Sequence, residues 1–230
     1  MNFLWYTPCM EKLYSMNVSV YQDDALFRES FRLLSETRKQ KVDAFRFRKD
    51  KNLCLGAGVL LDRALQVYGL SERVMEYGET GNKKPVFLNA PEIHFNISHS
   101  GEMVILALSD APVGCDIEQI GTADLRISRR FFTENEHGLL AACRSDGERN
   151  DLFFRMWTIK ESYMKYTGEG MRLPLSEFEI DLSGDRPKII RDGHLADCFV
   201  TEFDCFPGYR CAVISAKEET PELSCCGIRP

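Results

Sequence analysis

Asp110-Ala111-Pro112-Val113-Gly114-Cys115-Asp116-Ile117-Glu118 is the stretch on which the fold turns. Its Asp-Ala-Pro triplet is a turn signal, and the residues after it alternate, with Cys115 and Ile117 on one side of a strand and Asp116 and Glu118 on the other. Before it, Ser35 and Asp50 are N-caps for a short helix over 36–45 and a longer one over 51–68, the latter ended by Gly69. Strands follow near 73–77, 85–88, 93–98 and 103–109, with the loop 78–85 between the first two. After the junction the order restarts. Thr133-Glu134-Asn135-Glu136 is a capping-box pattern opening a short helix, a longer helix fits 151–167, and strands fit 177–182, 187–190, 197–203 and 209–215. The cycle predicts an α+β protein of two similar halves, 1–112 and 113–230, with a ligand site in the cleft between them.

Length and composition bound the rest. A chain of 230 residues, 44% hydrophobic and 28% charged, is an ordinary globular composition, which sets aside disorder, collagen and coiled coil. The longest apolar run, Met103 to Leu108, is far short of the roughly 20 residues of a membrane helix. Met1 to Pro8 lack the basic start and apolar core of a secretory signal, so a reducing cytoplasmic location is expected. Nine cysteines, odd in number and without a C-x-x-C, read as free thiols; zinc is the lesser alternative, because none of the four histidines stands in metal spacing with a cysteine. The net charge of -6 argues against a nucleic-acid binder. One stretch runs against that balance: between Arg38 and Lys51 seven basic residues, Arg46 among them, meet two acids. The stretch is either a solvated helix face or a site for a small polyanion such as a nucleotide.

Three segments carry chemistry. Ile93, Phe95 and Ile97 form a buried strand face, so Ser98-His99-Ser100-Gly101 falls at its end, where hydroxyl, imidazole and backbone N–H groups gather as a phosphate would require. Asp116 and Glu118 place two carboxylates side by side, and their repulsion is relieved by a cation; Mg²⁺ suits one or two carboxylates plus phosphate oxygens. On the helix 151–167 the main apolar stripe is Leu152, Met156, Ile159, Tyr163 and Tyr166. Glu161 and Lys165 lie opposite, at i, i+4, with Phe154, Trp157 and Met164 on their side. A carboxylate and an ammonium on a covered face need partners or a task. Each segment also has an ordinary structural explanation: a turn, a solvated acidic strand end, an exposed ion pair.

Taken in order, Lys84-Pro85, Phe95-Asn96-Ile97-Ser98-His99-Ser100, Gly114-Cys115-Asp116-Ile117-Glu118, and Trp157-Thr158-Ile159-Lys160-Glu161-Ser162 with Lys165 and Gly168-Glu169-Gly170 resemble the Sfp-type (surfactin-type) 4′-phosphopantetheinyl transferases. The likeness extends from about residue 35 to residue 215. It implies a cytoplasmic, pseudo-twofold monomer that moves the 4′-phosphopantetheine arm of coenzyme A onto a serine of an apo carrier protein, with Mg²⁺, releasing adenosine 3′,5′-bisphosphate. It implies that Asp116, Glu118 and Glu161 bind the metal. Ser98, His99 and Lys84 match residues that hold coenzyme A, Arg38 and Lys41 fall where the family has lysines near the nucleotide's phosphates, and Arg46 joins them as a coenzyme A contact. Lys165 matches a lysine beside the pyrophosphate, giving Glu161, Lys165 and Asp116 as the catalytic set, with Asp116 and Lys165 also facing coenzyme A.

That chemistry suits those residue types. Attack of serine on the β-phosphorus concentrates negative charge on phosphoryl oxygens, which Mg²⁺ and Lys165 would stabilise. Glu161 is the family's candidate for taking the serine proton, with a water at the metal as the alternative. Two departures stand out: Cys54 where a small hydroxyl residue is expected beside the nucleotide, and Cys115 where relatives carry an aliphatic or small residue. The small trimeric holo-acyl-carrier-protein synthases share the chemistry at about half this length. A non-catalytic coenzyme A or carrier-binding module predicts loss of a carboxylate or of Lys165, and Asp116, Glu118, Glu161 and Lys165 are all present.

Overall fold

In the computed structural model, which describes residues 11–225, the chain begins with β1 (Lys12–Asn17) and three helices, α1 (Asp24–Leu33), α2 (Glu36–Ala44) and α3 (Arg48–Leu65). A hairpin of β2 (Tyr77–Glu79) and β3 (Pro85–Phe87) and an antiparallel pair, β4 (His94–Ser100) and β5 (Met103–Ser109), follow. The order then recurs. β6 (Val113–Gln119) leads to α4 (Leu125–Phe131), α5 (Glu134–Ala142) and the long α6 (Asp146–Thr167). Strands β7 (Phe178–Asp181), β8 (Lys188–Arg191), β9 (His194–Leu195), β10 (Phe199–Glu202), β11 (Tyr209–Ser215) and β12 (Glu222–Cys225) complete an α+β fold. Met1 to Pro8 and Cys226 lie outside the described residues.

One sheet has the order β12-β1-β5-β4, a second β10-β11-β6, and β7-β8-β9 form a third. Period-two alternation along the central strands sorts side chains into three cores. On β5, Val104, Leu106 and Leu108 pack with Leu60, Leu61 and Ala64 of α3, while Ile105 and Ala107 turn the other way. On β11, Ala212 and Ile214 pack with Met156 and Ile159 of α6, while Cys211 and Val213 turn back. These inward sets meet Leu13, Val113, Cys115 and Ile117 in an apolar seam between the two sheets.

Side chains of β4 stitch the same seam. Cys115 N donates to Asn96 Oδ1 (3.0 Å), Ser98 Oγ to Asp116 Oδ1 (2.6 Å) and Ser100 Oγ to Glu118 Oε2 (2.7 Å). The opposite face of β6 meets α6 directly. A Cβ on Gly114 would stand 2.2 Å from Ser162 O and 2.3 Å from Tyr166 N, both backbone atoms that cannot swing aside. Gly114→Ala therefore pushes α6 off the strand, with an expected loss of about 1–3 kcal/mol or more. Chemical denaturation and the rate of transfer, both lowered, would check it.

The seven described cysteines, Cys54, Cys115, Cys143, Cys198, Cys205, Cys211 and Cys225, are free thiols. Ser35 caps α2 as predicted, its Oγ accepting from Arg38 N (3.2 Å), and the capping box of Thr133 and Glu136 is present. Asp50 is not an N-cap. Arg48 donates to Tyr21 O (2.7 Å) and to Asn52 Oδ1 (3.0 Å), so α3 starts three residues earlier and Asp50 falls in its first turn, where a negative charge suits the helix dipole. The strand expected near 73–77 is displaced to Tyr77–Glu79, because Asp62 Oδ1 accepts from Ser71 Oγ (2.8 Å) and Glu72 N (3.0 Å) and bends 72–74 into a 3-10 turn. α6 begins at Asp146, capped by Ser145, before the apolar pattern starts.

Candidate active site

The carboxylates of β6 and the polar side of α6 come together because Gly114 lets helix and strand touch. Lys165 Nζ donates to Asp116 Oδ1 (2.6 Å) and to Ser98 Oγ (3.1 Å), closing a triangle with the Ser98 to Asp116 bond. Asp116 is 3% exposed, and its second oxygen, Oδ2, is buried with no hydrogen-bond partner. Glu118 leans on Ser100, whose Oγ also accepts from Gln119 N (3.0 Å).

Three carboxylates share this space with one ammonium. Burial raises the pKa of Asp116, and Lys165 and Ser98 offset that only in part. Glu161 is raised by burial and by the charge of Asp116, and Glu118 by burial, Asp116 and Glu161. Burial works against the Lys165 ammonium, but Asp116, Cys115 and Glu161 together hold its pKa above the ordinary value. Crowded carboxylates and an orphaned buried oxygen are the donors a hard divalent cation takes. No group of three His, Cys, Asp or Glu side chains among the described residues is drawn together as a finished cage, and Lys165 holds the inner oxygen of Asp116.

Glu161 and Lys165 line a cleft of about 760 Å³, a volume typical of small-molecule sites. Lys84, Asn96 and Ile97 form one wall, and Phe131, Trp157, Met164 and the fully exposed Met171 give the opposite side an apolar character. Lys84 does not point at the carboxylates. Its Nζ donates to Val113 O (3.1 Å) and to Tyr166 O (3.3 Å), fastening the β2–β3 loop to β6 and to the last turn of α6. Burial there pushes its pKa down to about 8. His99 is exposed at the end of β4, and partial burial of its ring plus the Lys165 charge lower its pKa.

The basic residues of α2 lie apart from this cluster. Arg38 and Lys41 surround Cys54, whose thiol burial pushes up and the two cations pull down. The Arg38 side chain is mostly covered and faces Glu72. Arg46 is exposed, its guanidinium 5.5 Å from the Phe47 ring. The nearest link between the regions is Asp50 in the first turn of α3, whose charge reaches His99.

Sequence reasoning missed two sets of residues. Ser100 enters it only as part of the turn after β4 and not as a partner of Glu118, although Ser98 and Ser100 share the two-residue period of Asp116 and Glu118 and so face them. Lys160, beside Glu161, is fully buried: Nζ donates to Leu175 O and Phe178 O (both 2.7 Å) and pairs with Glu136 Oε2 at 2.9 Å. It anchors the segment whose Leu173 and Leu175 line the cleft.

Comparison with known proteins adds an independent observation. Residues 22–111 match the family "4′-phosphopantetheinyl transferase, N-terminal", and residues 112–214 match the "4′-phosphopantetheinyl transferase superfamily". The chain is 34% identical over 209 residues to the 4′-phosphopantetheinyl transferase ffp of Bacillus subtilis, covering 88% of this chain and 93% of that protein. It is 33% identical to the 4′-phosphopantetheinyl transferase Sfp of Bacillus subtilis (strain 168) with the same coverage, and 35% identical to gsp of Aneurinibacillus migulanus over 84% of this chain and 81% of the other.

Proposed function

Because the chain belongs to the 4′-phosphopantetheinyl transferases, we infer that it transfers the 4′-phosphopantetheine moiety of coenzyme A to a serine of an apo carrier protein. The protein is an enzyme of the holo-carrier-protein synthase type, and adenosine 3′,5′-bisphosphate leaves. The observation that carries the reading is the buried, partnerless Oδ2 of Asp116, beside Lys165 and Glu161 at the cleft.

Asp116, Glu118 and Glu161 would hold Mg²⁺, which when bound neutralises charge on the phosphoryl oxygens. The Lys165 ammonium, kept protonated by Asp116, faces the pyrophosphate and stabilises the charge developing there. Ser98 orients both partners through its hydroxyl. Glu161, or a water beside the carboxylates, receives the serine proton. Asp116 and Lys165 meet the reacting end of coenzyme A, Lys84, Ser98 and His99 also hold coenzyme A, and Arg38, Lys41 and Arg46 meet its nucleotide end. Phe131, Trp157 and Met171 offer the apolar wall along which the pantetheine arm lies. The halves 1–112 and 113–230 are thus a nucleotide half and a metal half of one monomer acting in the cytoplasm, without nucleic acid or membrane. No helix among the described residues is long and apolar enough to cross a bilayer.

Intact mass of an apo carrier protein incubated with the enzyme, coenzyme A and Mg²⁺ tests this. A gain of about 340 Da, prevented by EDTA, is expected. No gain across acyl, peptidyl and aryl carriers, with coenzyme A still bound, would favour a non-catalytic module.

Lys84 gives a pH dependence. With a native pKa of about 8 against an ordinary value of 10.5, it loses its charge to solvent as pH rises through 8. The KM for coenzyme A should therefore rise between pH 7 and 9, and Lys84→Arg should flatten that profile. For stability the sign is opposite. The unfolded chain binds the proton more tightly between pH 8 and 10.5, so this group favours the native state increasingly across that window.

A further inference from the structure

Glu72 is 1% exposed, and its carboxylate lies under α2 rather than in solvent. Oε2 accepts from Ser35 N (3.0 Å), and Oε1 accepts from Ser35 Oγ (2.9 Å) and from Tyr77 OH (3.0 Å). Arg38 Nε stands 3.7 Å from Oε1, too long for a hydrogen bond and close enough to act as the counter-charge a buried carboxylate requires. Glu72 is itself held from α3, its N–H donating to Asp62 Oδ1 (3.0 Å). The stem of Arg38 crosses α3 at Gly58, where an added Cβ would come within 3.0 Å of Arg38 Cγ and 2.8 Å of Leu34 Cδ2. The helix cap is therefore hydrogen-bonded to this carboxylate, the stem is packed at Gly58, and the guanidinium is drawn to the same carboxylate by charge alone.

We propose that Glu72 is the positioning residue of the nucleotide subsite, locking the α2 cap and the Arg38 guanidinium so that the chain selects a nucleotide carrying a 3′-phosphate. The proposal rests on the reading of Arg38 as a coenzyme A contact. Coenzyme A has two phosphate groupings, a pyrophosphate and a 3′-phosphate monoester. The bond that breaks lies in the pyrophosphate, which Lys165 and the carboxylates claim. The monoester remains for the separate basic neighbourhood of Arg38 and Lys41. A guanidinium delivers its charge directionally, and a loose one gives up much of that advantage. Glu72 does not touch the nucleotide; it acts through Arg38 and through Ser35.

Affinities for coenzyme A and 3′-dephospho-coenzyme A, measured by calorimetry on the full chain, test the proposal together with kcat at saturating coenzyme A. Glu72→Gln should weaken coenzyme A about tenfold, leave 3′-dephospho-coenzyme A within about twofold, and leave kcat unchanged. In an Arg38→Ala background the same change should add nothing. Glu72→Asp, which keeps the buried charge but withdraws it by one methylene, should fall between, and it serves if Glu72→Gln fails to fold. Equal weakening toward both nucleotides, or tighter binding of coenzyme A, would overturn the positioning role alone. A wild-type chain that does not distinguish the two nucleotides would overturn the premise about Arg38, and the proposal with it.

Discussion

Asp116→Ala should abolish transfer, lowering kcat by about 10³-fold or more, while far-UV circular dichroism stays close to wild type. The size follows from how much converges on one carboxylate. Its Oδ1 holds both Lys165 and Ser98, and its Oδ2 has no partner other than the cation proposed for it. Alanine removes a metal ligand and also leaves the Lys165 ammonium against a single hydroxyl, so the cationic group facing the pyrophosphate loses its aim. Asp116→Asn separates these effects, since an amide oxygen still accepts from Lys165 while the charge for a cation is gone. Its transfer rate should stay close to that of the alanine variant. Unchanged turnover of either variant at saturating Mg²⁺ would remove Asp116 from the metal site.

Lys160→Met should be the most destabilising single change of this set. Breaking a buried ion pair by removing one partner typically costs about 3–5 kcal/mol, because the other charge stays behind. Here Glu136 would keep Thr133 N (2.9 Å) and Ile180 N (2.9 Å), yet have no cation, and Leu175 O and Phe178 O would lose their donor. For a chain of this size the melting temperature should fall by about 10 °C. The double variant Glu136→Gln with Lys160→Met should recover part of the loss, since no charge remains buried. A melt within a degree or two of wild type for Lys160→Met would show that the pair contributes little.

What the sequence disclosed and what it withheld separate along one line. Features set by neighbours in the chain were readable: the Ser35 cap, the Thr133 and Glu136 capping box, the alternation of β6, and the i, i+4 placement of Glu161 and Lys165. Features set by distant partners were not. Glu136 reads as a capping residue and serves as one, but nothing near it announces that its carboxylate also neutralises Lys160. Asp50 reads as a cap because its type favours that place, whereas the start of α3 is decided by Arg48 reaching back to Tyr21. β1 was missed because Leu13 to Met16 are all buried, so a strand covered on both faces shows no alternation. Within the site, the carboxylates and Lys165 were legible as a motif. The parking of Lys84 on Val113 and Tyr166 and the seating of Arg38 on Glu72 belong to tertiary structure alone.

β12 lies parallel to β1, with Lys12 opposite Glu222 and Ser15 opposite Cys225. Those partners are separated by 210 positions. During synthesis the outer edge of β1 therefore stays open until residues 222–225 have been made, and its amide and carbonyl groups remain a template for strands of other chains. A nascent or shortened chain ending before residue 222 would keep all of its catalytic side chains, yet carry an adhesive edge, and aggregation rather than lost chemistry would be its characteristic failure.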